Sequence, residues 1–137
     1  MKILLVHLIA LSMAASAGGQ NLVGYSPKNI KNYMKENYPG HSLQTGVVNE
    51  AYKYLKYVDD EEVETLIFFL NERDICNAVK IICDNSLKSS KITDLDNRYT
   101  RTGISFWREE RKGKKYVIEL VNDQWFFTIN IKEDIKK

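Results

Sequence analysis

Two histidines, two cysteines and a run of acidic residues are the side chains of this sequence best suited to chemistry. His7 lies in an apolar N-terminal stretch, which leaves His41 as the histidine available to a catalytic site. Nucleophilic catalysis needs a base beside the nucleophile, and the chain contains no Gly-x-Ser-x-Gly motif that would provide an activated serine. Because His41 directly follows Pro39-Gly40, a pair typical of turns, we interpret it as a surface or turn histidine.

The two cysteines lie seven residues apart in a β-branched segment that we interpret as one strand over residues 75–83. At about 3.3 Å per residue, Cys76 and Cys83 would be about 23 Å apart and, at an odd separation, on opposite faces. A disulfide needs Cα atoms within about 7 Å. A helix over 74–83 is the alternative, because the apolar residues also fit a 3.6-residue period, and it would separate the sulfurs by about 10 Å. Both interpretations predict two free, buried thiols of low reactivity.

The acidic residues do not have the pattern of a metal site. They are densest at Asp59, Asp60, Glu61, Glu62 and Glu64, without the glycine-punctuated loop of a calcium motif. One histidine and two separated cysteines do not make a zinc site. We therefore interpret the acidic run as a solvated hairpin turn and predict neither a metal nor a cofactor. Because nothing selects a pair of carboxylates for hydrolysis, a carboxylate-based hydrolase is the weakest alternative for the function.

The basic residues do not have the pattern of a specific binding site either. The formal net charge is +2, which gives no long-range field for nucleic acid, and we predict no nucleic-acid partner. A basic cluster is interrupted by two glutamates and a glycine and is interpreted as a charged hairpin tip that protects a sheet edge. Its members are Arg108, Arg111, Lys112, Lys114 and Lys115.

The aromatic residues are the feature most open to a functional interpretation. The chain has eight tyrosines, five phenylalanines and two tryptophans, and tyrosine and tryptophan are enriched at interaction hot spots. A chain of this size must also spend most of its aromatic residues on its core, which is the competing interpretation. The candidate contacts for a partner or ligand are Tyr52, Tyr54, Tyr57 and Trp107.

The elements that would position these side chains begin after a predicted export signal. Lys2 precedes a short apolar run, and Ala15-Ser16-Ala17 fits a signal-peptidase site, so residues 1–17 are predicted to be a cleaved signal peptide. The run is too short to cross a bilayer, and no cysteine follows for lipid attachment. We therefore expect a soluble protein of the periplasm or the medium, with no membrane insertion after cleavage. Residues 18–25 are predicted to be a flexible arm.

Residues 26–137 are predicted to form a single α+β domain. Ser26-Pro27 predicts a helix start and Pro39-Gly40 its end, and a second helix is expected between about 87 and 99. Alternating apolar residues predict three strands before that helix, at about 52–58, 63–70 and 75–83, and three after it, at about 104–110, 115–121 and 124–132. Two tandem helix-plus-three-strand units, at about 26–83 and 86–132, would build one antiparallel sheet with both helices on one face.

The last hairpin carries the most specific register prediction. A two-residue turn at Asn122-Asp123 would place apolar residues opposite one another on a single face. The predicted pairs are Leu120 with Trp125, Ile118 with Phe127, and Tyr116 with Ile129.

The layout of the chain resembles a known group of proteins. An export signal, a helix ending in Tyr38-Pro39-Gly40, an apolar hairpin strand at 66–70 and a repeated helix-plus-strands unit are similar to small exported Bacteroidota-type proteins of the PepSY-like and β-lactamase-inhibitor-protein-like group. The resemblance covers nearly the whole chain after the signal, in layout more than in residues. It implies an envelope or secreted binding or inhibitory module without catalysis, and it provides no site residues to transfer.

The expected function follows from export, the missing catalytic constellations and the surplus of aromatic residues. We expect a non-enzymatic module that presents the helix-free face of its sheet to a protein partner. The alternative is a small-ligand or glycan-binding protein of the envelope that uses Tyr52, Tyr54 or Trp107.

Overall fold

The computed structural model describes residues 21–44 and 53–135, which form one antiparallel sheet of eight strands with two α-helices. The predicted signal peptide and Tyr52 lie outside these residues. The helices are α1 (Pro27–Asn37) and α2 (Lys88–Arg98), the latter preceded by a 3-10 turn at Asn85–Leu87. The strands are β1 (His41–Gln44), β2 (Lys53–Asp59), β3 (Glu64–Leu70), β4 (Cys76–Asp84), β5 (Thr100–Arg101), β6 (Phe106–Arg111), β7 (Lys114–Asn122) and β8 (Phe126–Glu133).

Helix α1 begins and ends where the sequence predicts. The Oγ atom of Ser26 accepts a hydrogen bond from the Asn29 N–H at 3.2 Å, and Pro27 occupies the first helical position, where its missing N–H costs nothing. The helix buries Ile30 and Met34. It ends when Tyr38 leaves the helical conformation while its N–H still donates to the Met34 carbonyl at 2.8 Å.

The sheet is built from two units that meet in its centre. The strand order is β1-β2-β3-β4-β8-β7-β6-β5, so each unit has one helix followed by four strands, and β4 lies next to β8. The predicted antiparallel α+β fold is confirmed, and the segment at 74–83 contributes strand β4, not a helix. The predicted units of three strands are each one strand short. Strands β1 and β5 have four and two residues, which is too short for an alternating pattern to be recognised.

Both helices pack on the same face of the sheet. In α2, Lys91 pairs with Glu64 of β3, and Asp96 accepts a 2.8 Å hydrogen bond from the indole N–H of Trp107 in β6. Side chains of α1 join the same buried cluster as the inward residues of the sheet. The fully buried sheet residues of this helix-bearing face include Phe68, Val79, Ile81, Trp107, Ile118, Phe127, Ile129 and Ile131.

The β7–β8 hairpin has the predicted faces but a different register. Leu120 pairs with Ile129, four positions further along β8 than the predicted partner Trp125. The loop is longer than two residues: the Asp123 N–H donates to the Phe126 carbonyl at 2.9 Å, and an Asp123 carboxylate oxygen accepts the Gln124 N–H at 2.6 Å. Because an even shift keeps every side chain on its own face, the other predicted core residues of the hairpin stay buried, but Trp125 lies in the loop and is 75% exposed.

A β-bulge places the two cysteines on one face. Leu70 lies opposite Cys76 while Phe69 lies opposite Ala78, so one extra residue, Asn77, interrupts the ladder. The prediction that Cys76 and Cys83 point to opposite faces is therefore wrong. The prediction of two free, buried thiols is confirmed.

The segment after the predicted signal is packed from residue 21 onwards, in contrast to the flexible arm that we expected. Asn21, Leu22 and Val23 are buried at 0%, 1% and 4% exposure. The Gly24 N–H donates to the Cys76 carbonyl at 2.7 Å, and the Arg111 guanidinium donates to the carbonyls of Asn21 and Val23 at 2.7 and 2.6 Å. We call residues 21–25 the N-terminal strap.

Candidate functional site

The predicted contact residues differ in their access to solvent. Trp107 is 0% exposed and Tyr57 is 6% exposed, so both belong to the core and neither side chain forms part of the surface. Tyr54 is half-buried on the helix-free face of the sheet, where its ring lies 6.4 Å from that of Phe69. Of the described candidates, Tyr54 alone reaches the face that we expected to meet a partner.

A group of exposed apolar side chains lies at one end of the sheet. Ile104 is 90% exposed and Trp125 is 75% exposed. The group comes together because the start of β6, the end of β7 and the start of β8 meet at this end, where the Leu120 N–H donates to the Ser105 carbonyl at 2.9 Å. We call it the apolar end patch; its members are Ile104, Phe106, Val121, Trp125 and Phe126.

The apolar end patch continues onto the helix-free face. Phe106 lies opposite Glu119, and Val121 lies opposite Thr128, so both side chains stand on the side away from the helices. Sequence reasoning missed Trp125 as a surface residue because it placed Trp125 opposite Leu120 in the core. The signal that could have found it is the polar run 122–124, which has room for a longer loop.

Lysine side chains also lie on the helix-free face. Lys56 lies opposite Ile67, which lies opposite Lys80, and Lys132 lies between Ala78 and Val117. None of these three lysines forms a salt bridge with another described residue. The face therefore presents an apolar end and a middle with unpaired lysines.

A second candidate site lies on the helix-bearing face, where three charged or polar side chains meet. One oxygen of Glu64 is 2.9 Å from Nε2 of His41, and the other accepts an ion-paired hydrogen bond from Lys91. All three side chains are at most 13% exposed. We call His41, Glu64 and Lys91 the polar cluster.

The local fold explains why Glu64 is inside. Its N–H donates to a carboxylate oxygen of Asp59 at 2.9 Å, which closes the β2–β3 turn. As the first residue of β3, Glu64 shares its face with the buried Leu66 and Phe68. Of the acidic run, Asp60, Glu61 and Glu62 are exposed as predicted. Glu64 differs from them because the alternation of side chains along β3 points it inward. There, Lys91 of α2 provides the opposite charge.

Two further groups touch the polar cluster. The Cys83 thiol points at Glu64, with 3.9 Å between Sγ and Oε2. Burial raises the pKa of the Cys83 thiol to about 12, against the opposing effect of Lys91. The Tyr38 ring meets the His41 ring edge-on at 5.0 Å. Burial, followed by the nearby negative charge of Glu64, raises the pKa of the Tyr38 hydroxyl, so at neutral pH both the thiol and the phenol stay protonated.

The polar cluster forms part of the wall of a pocket of about 390 Å³. The pocket lies between the C-terminal end of α1, the N-terminal half of α2 and the β2–β3 turn. Its lining also includes Asp59, Asp94 and the apolar side chains of Val63 and Leu87. Because burial keeps the Cys83 thiol protonated, this thiol is not an activated nucleophile. Within the described part of the chain, no group of three side chains is arranged to hold a metal ion.

In residues 21–44 and 53–135, no helix is long and apolar enough to cross a membrane. No family model, no curated protein and no solved structure matches this chain. The resemblance to small exported binding modules therefore stays a prediction from sequence.

Proposed function

We propose that this protein is an exported, non-enzymatic binding or inhibitory module that engages a protein partner through the helix-free face of its sheet. The observation that carries this proposal is the apolar end patch. Ile104 and Trp125 are 90% and 75% exposed, although the core a short distance away fully buries side chains of the same types. Large exposed apolar groups gathered in one place are typical of interaction surfaces.

The composition of the patch fits the centre of a protein interface. Such centres are enriched in aromatic side chains that bury a large area on contact, and the patch contains Trp125 and two phenylalanines. The unpaired lysines Lys56, Lys80 and Lys132 lie on the same face. The partner that fits this surface has an apolar contact point flanked by carboxylates, because opposite charges around an apolar centre speed association and fix orientation.

The export component of the proposal depends on residues 1–17, whose sequence has the charge, the length and the small-residue cleavage site of a signal peptide. N-terminal sequencing of the protein recovered from its native cell would test it. The proposal expects a chain that begins at Gly18, and a chain that retains residues 1–17 would contradict export by this signal.

The contact surface can be tested by substituting serine for exposed apolar residues inside and outside the apolar end patch. Ile104→Ser, alone or with Trp125→Ser, removes the most exposed members of the apolar end patch. Ile135→Ser removes an isoleucine that is 75% exposed outside the patch and is the matched control. Proteins crosslinked to the wild type in envelope and culture extracts would be identified by mass spectrometry.

The expected result is a partner that the wild type and Ile135→Ser capture and that Ile104→Ser/Trp125→Ser loses, by about tenfold or more for a hot-spot residue. Capture should weaken as salt rises, because lysines contribute to it. The same set of proteins with all variants, or with none, would overturn the proposal. Self-association of the purified wild type that the double variant abolishes would make a second copy the occupant and would also overturn it.

A further inference from the structure

A second pocket lies in the groove between α1 and the edge strand β1, on the helix-bearing face. The α1 residues that line it recur at spacings of three and four and so share one side of the helix; they are Lys31, Met34, Lys35 and Tyr38. The other wall is formed by β1 and β2, where Leu43 lies opposite Tyr57. The volume of about 400 Å³ suits a small organic ligand. We call it the α1–β1 pocket.

The charge at the α1–β1 pocket is positive. Lys31 and Lys35 are exposed, and neither forms a salt bridge with another described residue. Lys35 lies in the last turn of α1, where it offsets the negative end of the helix dipole. Lys31 lies one turn earlier, where its charge is repelled by that of Lys35. A carboxylate in the pocket would relieve this repulsion.

His41, which also lines the α1–β1 pocket, does not cancel this charge. Its Nε2 atom lies 2.9 Å from Glu64, and the Glu64 carboxylate is also paired with Lys91. The carboxylate behind His41 is therefore compensated within the polar cluster. Among the described residues that line the α1–β1 pocket, none is acidic, so the pocket favours an anion over a cation.

An independent observation at the same pocket concerns Tyr57. The residue is only 6% exposed, and its hydroxyl group makes no hydrogen bond with a described residue, yet unlike the hydroxyl of Tyr38 it is not closed to water. Because Tyr57 lines the α1–β1 pocket, the open hydroxyl faces this pocket. Burial raises the pKa of the Tyr57 hydroxyl, so at neutral pH it stays protonated and can donate a hydrogen bond. Such a bond is strongest when the acceptor is charged, as a carboxylate oxygen is.

The remaining walls are apolar. Met34, Pro39 and Leu43 line the pocket, and such surface favours a hydrocarbon chain over a small hydrated anion. We infer that the α1–β1 pocket binds a free carboxylic acid with a short aliphatic chain. The Tyr57 hydroxyl donates to its carboxylate, and Lys31 and Lys35 are the counter-charges.

This inference does not depend on the proposed function, because the pocket lies on the helix-bearing face and the apolar end patch does not. The two therefore stand or fall separately. A carboxylate on an aliphatic chain is also found at the C-terminal end of a polypeptide. The free acid fits better, because a peptide group would meet the apolar walls without a hydrogen-bond partner. Two probes separate these sources: n-hexanoate represents the free acid, and N-acetyl-norleucinate represents the end of a polypeptide.

The experiment is a titration of the ¹⁵N-labelled protein with sodium n-hexanoate and, separately, with n-hexylammonium chloride, which has the same number of carbons and the opposite charge. We expect saturable shifts of the backbone amides at 31–38, 43 and 57 with n-hexanoate alone, with a dissociation constant on the order of 1 mM for so small a probe. Equal binding of n-hexylammonium, shifts only elsewhere, or no saturable shift with n-hexanoate would overturn the inference. Tighter binding of N-acetyl-norleucinate than of n-hexanoate would overturn the assignment to a free acid.

Two variants make the test specific. Tyr57→Phe should weaken binding of n-hexanoate by about tenfold, because it removes the donor to a charged group, and yet leave the thermal midpoint unchanged, because the hydroxyl makes no hydrogen bond in the free protein. Lys31→Gln should weaken binding by about threefold or more, whereas Lys112→Gln, which removes the same charge from an exposed turn, should not. If Tyr57→Phe or Lys31→Gln binds n-hexanoate as the wild type does, or if Lys112→Gln weakens binding as much as Lys31→Gln, the α1–β1 pocket is not a carboxylate site.

Discussion

Glu64 is the residue on which the polar cluster depends. It is the carboxylate that both His41 and Lys91 contact, and all three side chains are largely removed from water. A buried ion pair adds little net stability, because desolvation offsets the attraction, but removing one partner leaves the other charge buried and alone. The cost of a substitution here should therefore depend strongly on whether the partner is also changed.

We expect Glu64→Gln to lower the free energy of unfolding by about 3–5 kcal/mol, since it leaves the Lys91 ammonium without its carboxylate. The double variant Glu64→Gln/Lys91→Met should recover most of that loss. Urea denaturation of the four proteins in the double-mutant cycle measures the coupling. Additive effects of the two substitutions would mean that Lys91 is not held by Glu64 in solution.

The two cysteines give a second prediction at the scale of the residue. Burial raises the pKa of Cys76 to about 11 and that of Cys83 to about 12. Below about pH 8 both thiols are protonated in the folded and in the unfolded chain, so they add no pH dependence there. Above about pH 8 the unfolded chain begins to lose these protons and the folded chain does not, so stability must fall as pH rises towards 11.

The expected loss between pH 8 and pH 10 is about 1 kcal/mol per thiol. The free energy of unfolding would be measured across this range for the wild type and for Cys76→Ala/Cys83→Ala. The double variant is less stable at pH 8, because it leaves cavities, but its stability should decline less steeply up to pH 10. Parallel curves for the two proteins would show that the thiols are not buried.

At the scale of the element, long regular segments were predictable and short or interrupted ones were not. The apolar stripe and the Ser26-Pro27 start predicted α1, which spans Pro27–Asn37. Six of the strands followed from alternation. Strands β1 and β5, with four and two residues, carry no pattern of their own and form because the neighbouring strands offer an edge to pair with.

The errors at this scale have a common physical cause. The bulge at Asn77 and the longer β7–β8 loop each change the pairing without changing which residues are apolar. Composition therefore predicted the core but not the register. The N-terminal strap has a related explanation: residues 21–25 are too few to show a period, and they are held by Arg111 and Cys76, which lie far away in the chain.

The candidate sites were the least predictable part of the molecule. The polar cluster joins residues 41, 64 and 91, which come from three different elements, and no local pattern links them. Trp107 and Tyr57 were candidates because of their residue type, and their burial depends on the strand register. Residue type indicates what chemistry a side chain can do, but the tertiary fold decides whether it can be reached.

At the scale of the whole molecule, the two helix-plus-four-strand units form one continuous sheet instead of two separate domains. Strands β4 and β8 pair along seven residues of each strand. The Glu64–Lys91 pair also connects the units. So does the N-terminal strap, because the side chain of Asn21 donates to Glu109 at 3.0 Å and the N–H of Asn21 donates to the Tyr99 hydroxyl at 3.0 Å. If either unit unfolds, the strand of the other unit that it pairs with, β4 or β8, loses its partner and becomes exposed.

We therefore predict that the protein unfolds as one cooperative unit in spite of its internal repeat. Both tryptophans, Trp107 and Trp125, lie in the second unit, so tryptophan fluorescence reports on that unit alone. Leu66→Ala in the first unit should lower the tryptophan-detected urea midpoint as the matched Leu120→Ala does, with each variant costing about 2–5 kcal/mol, because both leucines are buried on the same face. The calorimetric and van't Hoff enthalpies of the wild type should agree. A tryptophan transition that Leu66→Ala leaves unchanged, while far-ultraviolet circular dichroism shows an earlier loss of strand signal, would mean that the β4–β8 pairing joins two units that fold independently.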